Sequence, residues 1–227
     1  MIRRRFRYAA TFVALAATVF ATAGFSRAQT SSAGHAATAP AAATVGYEWN
    51  KRPNPYQYLP KVPTFRLTSQ TVKNGKPLPI EQFSGIVGVP GGKDISPQLS
   101  WSGFPKGTKS FVVSMFDPEA STMSGFWHWV VADLPATTKS LPADAGTLNS
   151  TTLPAGAFQL TDDAGAPRFL GAAPPPRSGL HDYYLTVTAL DVPVTGGTAT
   201  TSPALLTFLI GSHTLARATI ICPTPSS

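Results

Sequence analysis

The chain has 227 residues, 43% of them apolar, which suffices for one domain with a sizeable core. Its formal charge of +7 is uneven: five of the 18 Lys and Arg residues (Arg3, Arg4, Arg5, Arg7 and Arg27) fall in the first 28 positions. The remainder is close to neutral and carries no dense basic patch, which excludes nucleic acid as a partner. A single cysteine, Cys222, excludes an intrachain disulfide and a cysteine-based metal site, and its apolar neighbours mark it as a small buried hydrophobe.

Residues 1–28 have the layout of a secretory signal peptide: arginines, an apolar stretch, then Ser26-Arg27-Ala28. The Arg3-Arg4-Arg5-Phe6 run resembles a twin-arginine export signal, and a general secretory signal fits equally. A bacterial exported protein of the periplasm, cell envelope or medium is expected. Residues 29–46 are Ala, Ser, Thr, Gly and Pro with almost nothing to bury, so they read as a disordered linker. The domain proper is expected over 47–223.

Residues 47–61 alternate aromatics with prolines, and an extended arm is predicted there in place of a helix. Residues 65–72 alternate as a half-buried strand does, and Asn74-Gly75 supplies a tight turn. A short strand is expected over 83–90, another near the tail of 95–101, and a turn over 105–108. The centre of the chain is 110–134, where two apolar runs, 111–116 and 126–131, flank a polar turn. Both read as buried strands. The first ends in Asp117 and the second holds His128 among aromatics. A buried ionisable group is unfavourable without a partner, so the two mark the lip of a pocket.

Residues 135–176 are rich in proline and glycine, and so long a connection reads as a functional loop. A strong strand over 181–192 places His181, Tyr183, Leu185 and Val187 on one face and Asp182, Tyr184 and Thr186 on the other. Ser202-Pro203 caps a helix over 204–210, and 215–221 forms a last strand. The pattern is all-β with a minor α component.

The side chains that could carry chemistry are Asp117, Glu119, His128, His181 and His213. A solvated turn would account for the two acids, and a satisfied core histidine for His128. The chain has no Gly-x-Ser-x-Gly elbow, no His-Glu-x-x-His and no phosphate-cradling or dinucleotide glycine loop. Ser114, Ser121 and Ser124 sit in no recognisable elbow, so a hydrolase using His128 or His181 as base lacks a nucleophile. No enzyme, cofactor or metal is expected.

Several motifs occur together: Asp94-Ile95-Ser96-Pro97 with Trp101, Asp117-Pro118-Glu119-Ala120, Trp127-His128-Trp129, Gly171-Ala172-Ala173-Pro174-Pro175, and His181 with Tyr183. Spread over roughly 65–221, they resemble the phosphatidylethanolamine-binding protein family, in its bacterial Raf-kinase-inhibitor-like branch. The resemblance implies a β-sandwich of a large and a smaller antiparallel sheet, Greek-key connections and a C-terminal helix. It also implies a small pocket for phosphate, acetate, cacodylate or a phosphoethanolamine head group. The implied ligand-binding residues are Asp117, Glu119, His128, Pro174, Pro175, His181 and Tyr183. The family's second turn acid is here the longer Glu119, its His-Arg pair is His181-Asp182, and a tyrosine before the Gly-x-x-Pro-Pro run is Phe169.

The expectation is therefore an exported binding protein for a small anion or phospholipid head group, with peripheral contact to membrane lipid. The alternative is a protein-interaction module, a protease inhibitor or signalling modulator, acting through the 135–176 loop.

Overall fold

The computed structural model describes residues 54–226; the expected signal peptide (1–28), linker (29–46) and start of the arm lie outside the described residues. Strands occur in the order β1 (Arg66–Thr68), β2 (Leu99–Ser102), β3 (Ser110–Asp117), β4 (Phe126–Pro135), β5 (Ser140–Leu141), β6 (Phe158–Gln159), β7 (Leu180–Leu190) and β8 (Thr214–Pro225). Helix α1 (Pro203–Leu209) lies between β7 and β8. The strands form two antiparallel sheets, β1-β2-β5 and β6-β4-β3-β7-β8. This is the expected all-β architecture with one late helix.

The first of the two apolar runs became the centre of the larger sheet. Every residue of β3 is buried, because β4 and β7 flank it and both of its faces are covered. On one face Phe111, Val113, Met115, Trp129 and Leu185 pack against Phe65, Leu99, Trp101 and Leu141 of the smaller sheet and its approaches. On the other face Val112, Val130, Ala132 and Leu190 are covered by Leu206 and Ile210 at α1. The order of layers is small sheet, large sheet, helix. β8 alternates strictly from Ala216 to Thr224, as an edge strand with one face on the core does. Cys222 is fully buried there, and burial pushes its thiol up to about 12.

Helix α1 begins where its sequence signals placed it. The Ser202 side chain accepts from Leu205 N–H at 3.2 Å, and Pro203 occupies the first turn, where no donor is needed.

Three expectations need correction. Residues 83–90 form no strand; apart from one isolated bridge, Phe83 to Ala172, the segment is a series of turns. Its apolar residues suggested a strand, but Gly85 and Gly88 break it, and Gly91-Gly92 follow at its end. A side chain on Gly92 would stand 2.8 Å from the backbone of Phe83 and Gly85. The aromatic arm is not wholly extended: Pro55–Tyr58 makes one 3-10 turn, capped by Asn54, whose Oδ1 accepts from Tyr56 N–H at 2.9 Å. Proline is compatible with that first turn because its missing N–H would have had no partner. The last strand extends past 221 through two prolines, which an edge strand tolerates.

The 135–176 connection contains only the dipeptide strands β5 and β6, yet it is tied to the core. Gln159 accepts from Trp129 Nε1–H at 2.8 Å and donates to Thr147 O at 2.9 Å. Gly146 passes so close to Phe169 that a Cβ would lie 2.5 Å from the Phe169 Cβ.

Two substitutions in α1 separate its faces. Leu206 is fully buried and Phe208 is 81% exposed. Leu206→Ala is expected to lower unfolding free energy by about 2–5 kcal/mol, and Phe208→Ala to change it by less than about 0.5 kcal/mol, both read by chemical denaturation.

Candidate functional site

Three neighbouring strands of the larger sheet bring polar side chains to one edge. β3 ends at Asp117, which is 2% exposed. Pro118 follows and cannot continue the ladder, so the chain turns. Asp117 Oδ1 accepts from the Glu119 N–H at 2.9 Å, an aspartate-centred turn that fixes its carboxylate. Its Oδ2 accepts from His181 Nδ1–H at 2.7 Å. β7 pairs Tyr184 with Phe116, which carries the start of β7 alongside Asp117. His181 Nε2 in turn lies 2.8 Å from Ser178 Oγ.

His128 comes from β4, on the other side of β3. Its Nδ1–H donates to Leu170 O at 2.9 Å, and its own carbonyl accepts from Leu170 N–H at 2.9 Å. The side-chain bond sets the tautomer: in the neutral ring Nε2 is left as an acceptor. The ring stands edge-on to Tyr183 at 5.3 Å, and His181 stacks on the same tyrosine at 6.3 Å. Burial raises the Tyr183 hydroxyl far above its ordinary range, and the charge of Asp117 adds to the effect. Tyr183 is therefore a permanent donor. Burial also holds His128 below the usual imidazole range, outweighing the Leu170 carbonyl and Asp117, which pull the other way.

The opposite wall is the segment from Leu170 to Pro175. Asp94 holds it, accepting from Gly171 N–H at 2.8 Å and from Ile86 N–H at 3.0 Å. Ala172 adds bonds to Gln82 O and from Ser84 N–H, both at 2.9 Å. Only glycine fits at 171, since a Cβ there would lie 2.4 Å from the Phe83 carbonyl carbon.

Asp117, His128, His181, Tyr183, Pro174 and Pro175 thus line one cleft of about 310 Å³, with Val87, Ala120, Phe126, Leu170 and Ala173 among its apolar walls. Among the described residues, no lysine or arginine lines it. Glu119 is not among the lining residues. Its Oε2 accepts from the Asp182 N–H at 2.9 Å, so it clips the turn to β7 and does not enter the cleft. Asp182 alternates away from His181 and Tyr183, as its strand position requires. His213 pairs with Asp191 at 2.9 Å beyond the opposite end of β7 and takes no part. A second hollow, beneath α1 and lined by Tyr56, Leu206 and Arg217, encloses only about 40 Å³. Sequence reasoning assigned no role to Asp94 or Ser178. The signal for Asp94 was its place in the Asp-Ile-Ser-Pro motif, and for Ser178 the Ser-x-x-His spacing after the proline run.

The lowered pKa of His128 has a consequence for stability. The unfolded chain, with an ordinary imidazole near ~6.5, binds the proton at higher pH than the folded protein does. Stability therefore falls as pH drops through that range, and the slope ends once the folded His128 takes its own proton. In His128→Gln the acid slope is expected to be shallower by up to about 1.4 kcal/mol per pH unit, measured by denaturant unfolding between pH 7 and pH 5. Imidazole NMR is expected to find wild-type His128 titrating below an ordinary imidazole, with the proton of its neutral form on Nδ1.

Comparison with known proteins places this geometry in a family. The sequence model described as phosphatidylethanolamine-binding protein matches residues 68–223. YbcL of Escherichia coli K12, a UPF0098 protein, is 43% identical over 157 residues, 69% of this chain and 85% of that protein. YbhB of the same organism is 41% identical over 155 residues, 68% of this chain and 96% of that protein. The crystal structure of E. coli YbcL, described as a new member of the mammalian PEBP family, superposes with a TM-score of 0.69 at 39% identity, covering 72% of this chain and 99% of that one. A putative PEBP homologue from Chlamydia trachomatis, CT736, superposes with a TM-score of 0.59 at 26% identity, again covering 72% and 99%. With the family's sequence model spanning most of the domain and relatives above 40% identity, the chain belongs to the phosphatidylethanolamine-binding protein family.

Proposed function

We propose that the protein is an exported binding protein whose cleft holds a small phosphate-bearing group, such as the phosphoethanolamine head group of a lipid. The observation that carries this reading is the convergence of Asp117, His128, His181 and Tyr183, from three adjacent strands, on one cleft beside Pro174 and Pro175. The family's description supports it.

The chemistry of the walls refines the ligand. With no lysine or arginine among the described lining residues, a phosphate is held there by hydrogen bonds and not by a fixed cation. The Tyr183 hydroxyl keeps its proton at every physiological pH, and a ligand oxygen competes for it with the Asp117 carboxylate. His128 Nε2, neutral and accepting, and the Asp117 carboxylate suit a protonated oxygen or an ammonium. A zwitterionic head group offers both halves. The volume of about 310 Å³ is at the low end for a ligand pocket. It accommodates a head group and leaves acyl chains outside. Ile86, Val87 and Met123 are exposed, with Val87 at the cleft and Met123 beside Thr122 of its wall, which suits contact with the apolar layer of a membrane.

Isothermal titration with phosphoethanolamine is expected to give saturable heat. His128→Ala and Tyr183→Phe should each weaken affinity by about tenfold or more, the scale of a lost buried hydrogen bond to a charged group. Unchanged affinity in both variants would remove the cleft from the account. Export is read separately: in a bacterial host the mature protein is expected outside the cytoplasm, beginning at Gln29 by intact mass. Retention of residues 1–28 would overturn it.

A further inference from the structure

The motifs that define a serine nucleophile in sequence are absent here, yet the fold supplies one that they do not describe. Ser178 lies in the turn that carries the proline rim into β7, three residues before His181. Its Oγ stands 2.8 Å from His181 Nε2, and His181 Nδ1 stands 2.7 Å from Asp117 Oδ2. Hydroxyl, imidazole and carboxylate are therefore in line through the two ring nitrogens, in the order a serine hydrolase uses. His181 is 1% exposed and Asp117 2%, whereas Ser178 is only partly buried. Ser178 thus reaches solvent while its base is shielded. Ser178 does not itself line the cleft, but Pro175 and His181, its hydrogen-bond partners, do. Arg177, immediately before it, is held at φ +64°, a conformation unfavourable for a non-glycine residue and frequent beside reactive groups.

We propose that Ser178, His181 and Asp117 form a nucleophilic site that accepts acyl groups from small activated esters at the mouth of the cleft. In the neutral ring Asp117 keeps the proton on Nδ1, and Nε2 is the base. Ser178 Oγ attacks the ester carbonyl carbon while its proton passes to Nε2. The carbon–oxygen bond of the ester breaks, and the leaving alkoxide takes that proton from Nε2. Water then attacks the acyl-serine and gives a proton to Nε2. The carboxylic acid departs as Ser178 Oγ recovers that proton. One ester and one water become one acid and one alcohol. Ser178 and His181 are the catalytic residues and Asp117 a positioning residue.

The surroundings set the expected pace. Ser178 Oγ also lies 2.6 Å from Pro175 O, and its one proton serves one acceptor at a time. The N–H of Ser178 is bonded to Pro175 O and that of Gly179 to Ser226 Oγ, so neither holds a developing oxyanion. Each such donor contributes about 10²–10³ in rate. The site is therefore expected to acylate and to release slowly. Leu170, Ala173 and Pro174 favour a small uncharged acyl group.

The test uses the full chain in phosphate-free buffer with p-nitrophenyl acetate, read by intact mass and peptide mapping. One acetyl group is expected on Ser178, formed about 10²-fold faster than on N-acetylserinamide. Asp117→Asn preserves shape but points an amide donor at Nδ1, driving the ring proton to Nε2 and removing the base. Acylation should slow by about 10²-fold or more, and imidazole NMR should show the proton moved from Nδ1 to Nε2. No adduct on Ser178, a rate equal to that of the model serine, or an equal rate in Asp117→Asn would each overturn the proposal. The site makes no use of phosphate recognition, so its failure leaves the head-group reading standing, and the reverse also holds.

Discussion

Everything at the functional edge depends on one buried contact, the 2.7 Å bond between His181 and Asp117. Both side chains are almost fully withdrawn from water. A carboxylate in that position needs donors, and it has the imidazole and the Glu119 amide, with the Tyr183 hydroxyl beside them. The imidazole needs partners on both sides, and Ser178 is the second. Such an arrangement contributes little net stability, since desolvation offsets attraction, but removing one member leaves the other buried without compensation. Its effect is geometric. It ties the end of β3 to the start of β7 and to the turn that bears the proline rim.

The rest of the cleft follows from adjacency in the larger sheet. β4 lies on the far side of β3, so His128 reaches the same edge from the other direction. Asp94 and Gly171 then bring the rim segment against that edge, the first by accepting two backbone N–H groups and the second by having no side chain to obstruct Phe83. The two classes of residue differ in kind. Tyr183 and the histidines line the cleft with their side chains, while Asp94, Glu119 and Gly171 hold backbone in place.

The long elements were legible because their patterns are long. The apolar run before Asp117 read as a buried strand, and it is buried on both faces; alternation over 181–187 correctly assigned the faces of β7. Ser202-Pro203 marked the helix start for a local reason that tertiary packing did not override. Short elements were less legible. At 83–90 apolar residues suggested pairing, but Gly85, Gly88 and close backbone approaches decided otherwise. Glu119 illustrates another limit: its proximity to Asp117 in sequence suggested a shared task, yet its longer side chain reaches across to the β7 backbone. Ser178 was missed because its significance lies in a turn bringing it back onto His181, which no elbow motif encodes and only the Ser-x-x-His spacing hints at.

Leu170 and His128 exchange two hydrogen bonds, one through the backbone and one through the ring. A wall stitched to its strand in both directions cannot swing aside without freeing a buried imidazole. Nothing in that arrangement acts as a gate. Entry is then governed by how often a molecule meets the opening, and residence time by how firmly the recess grips it, so kinetics at this cleft should be those of simple one-step encounter.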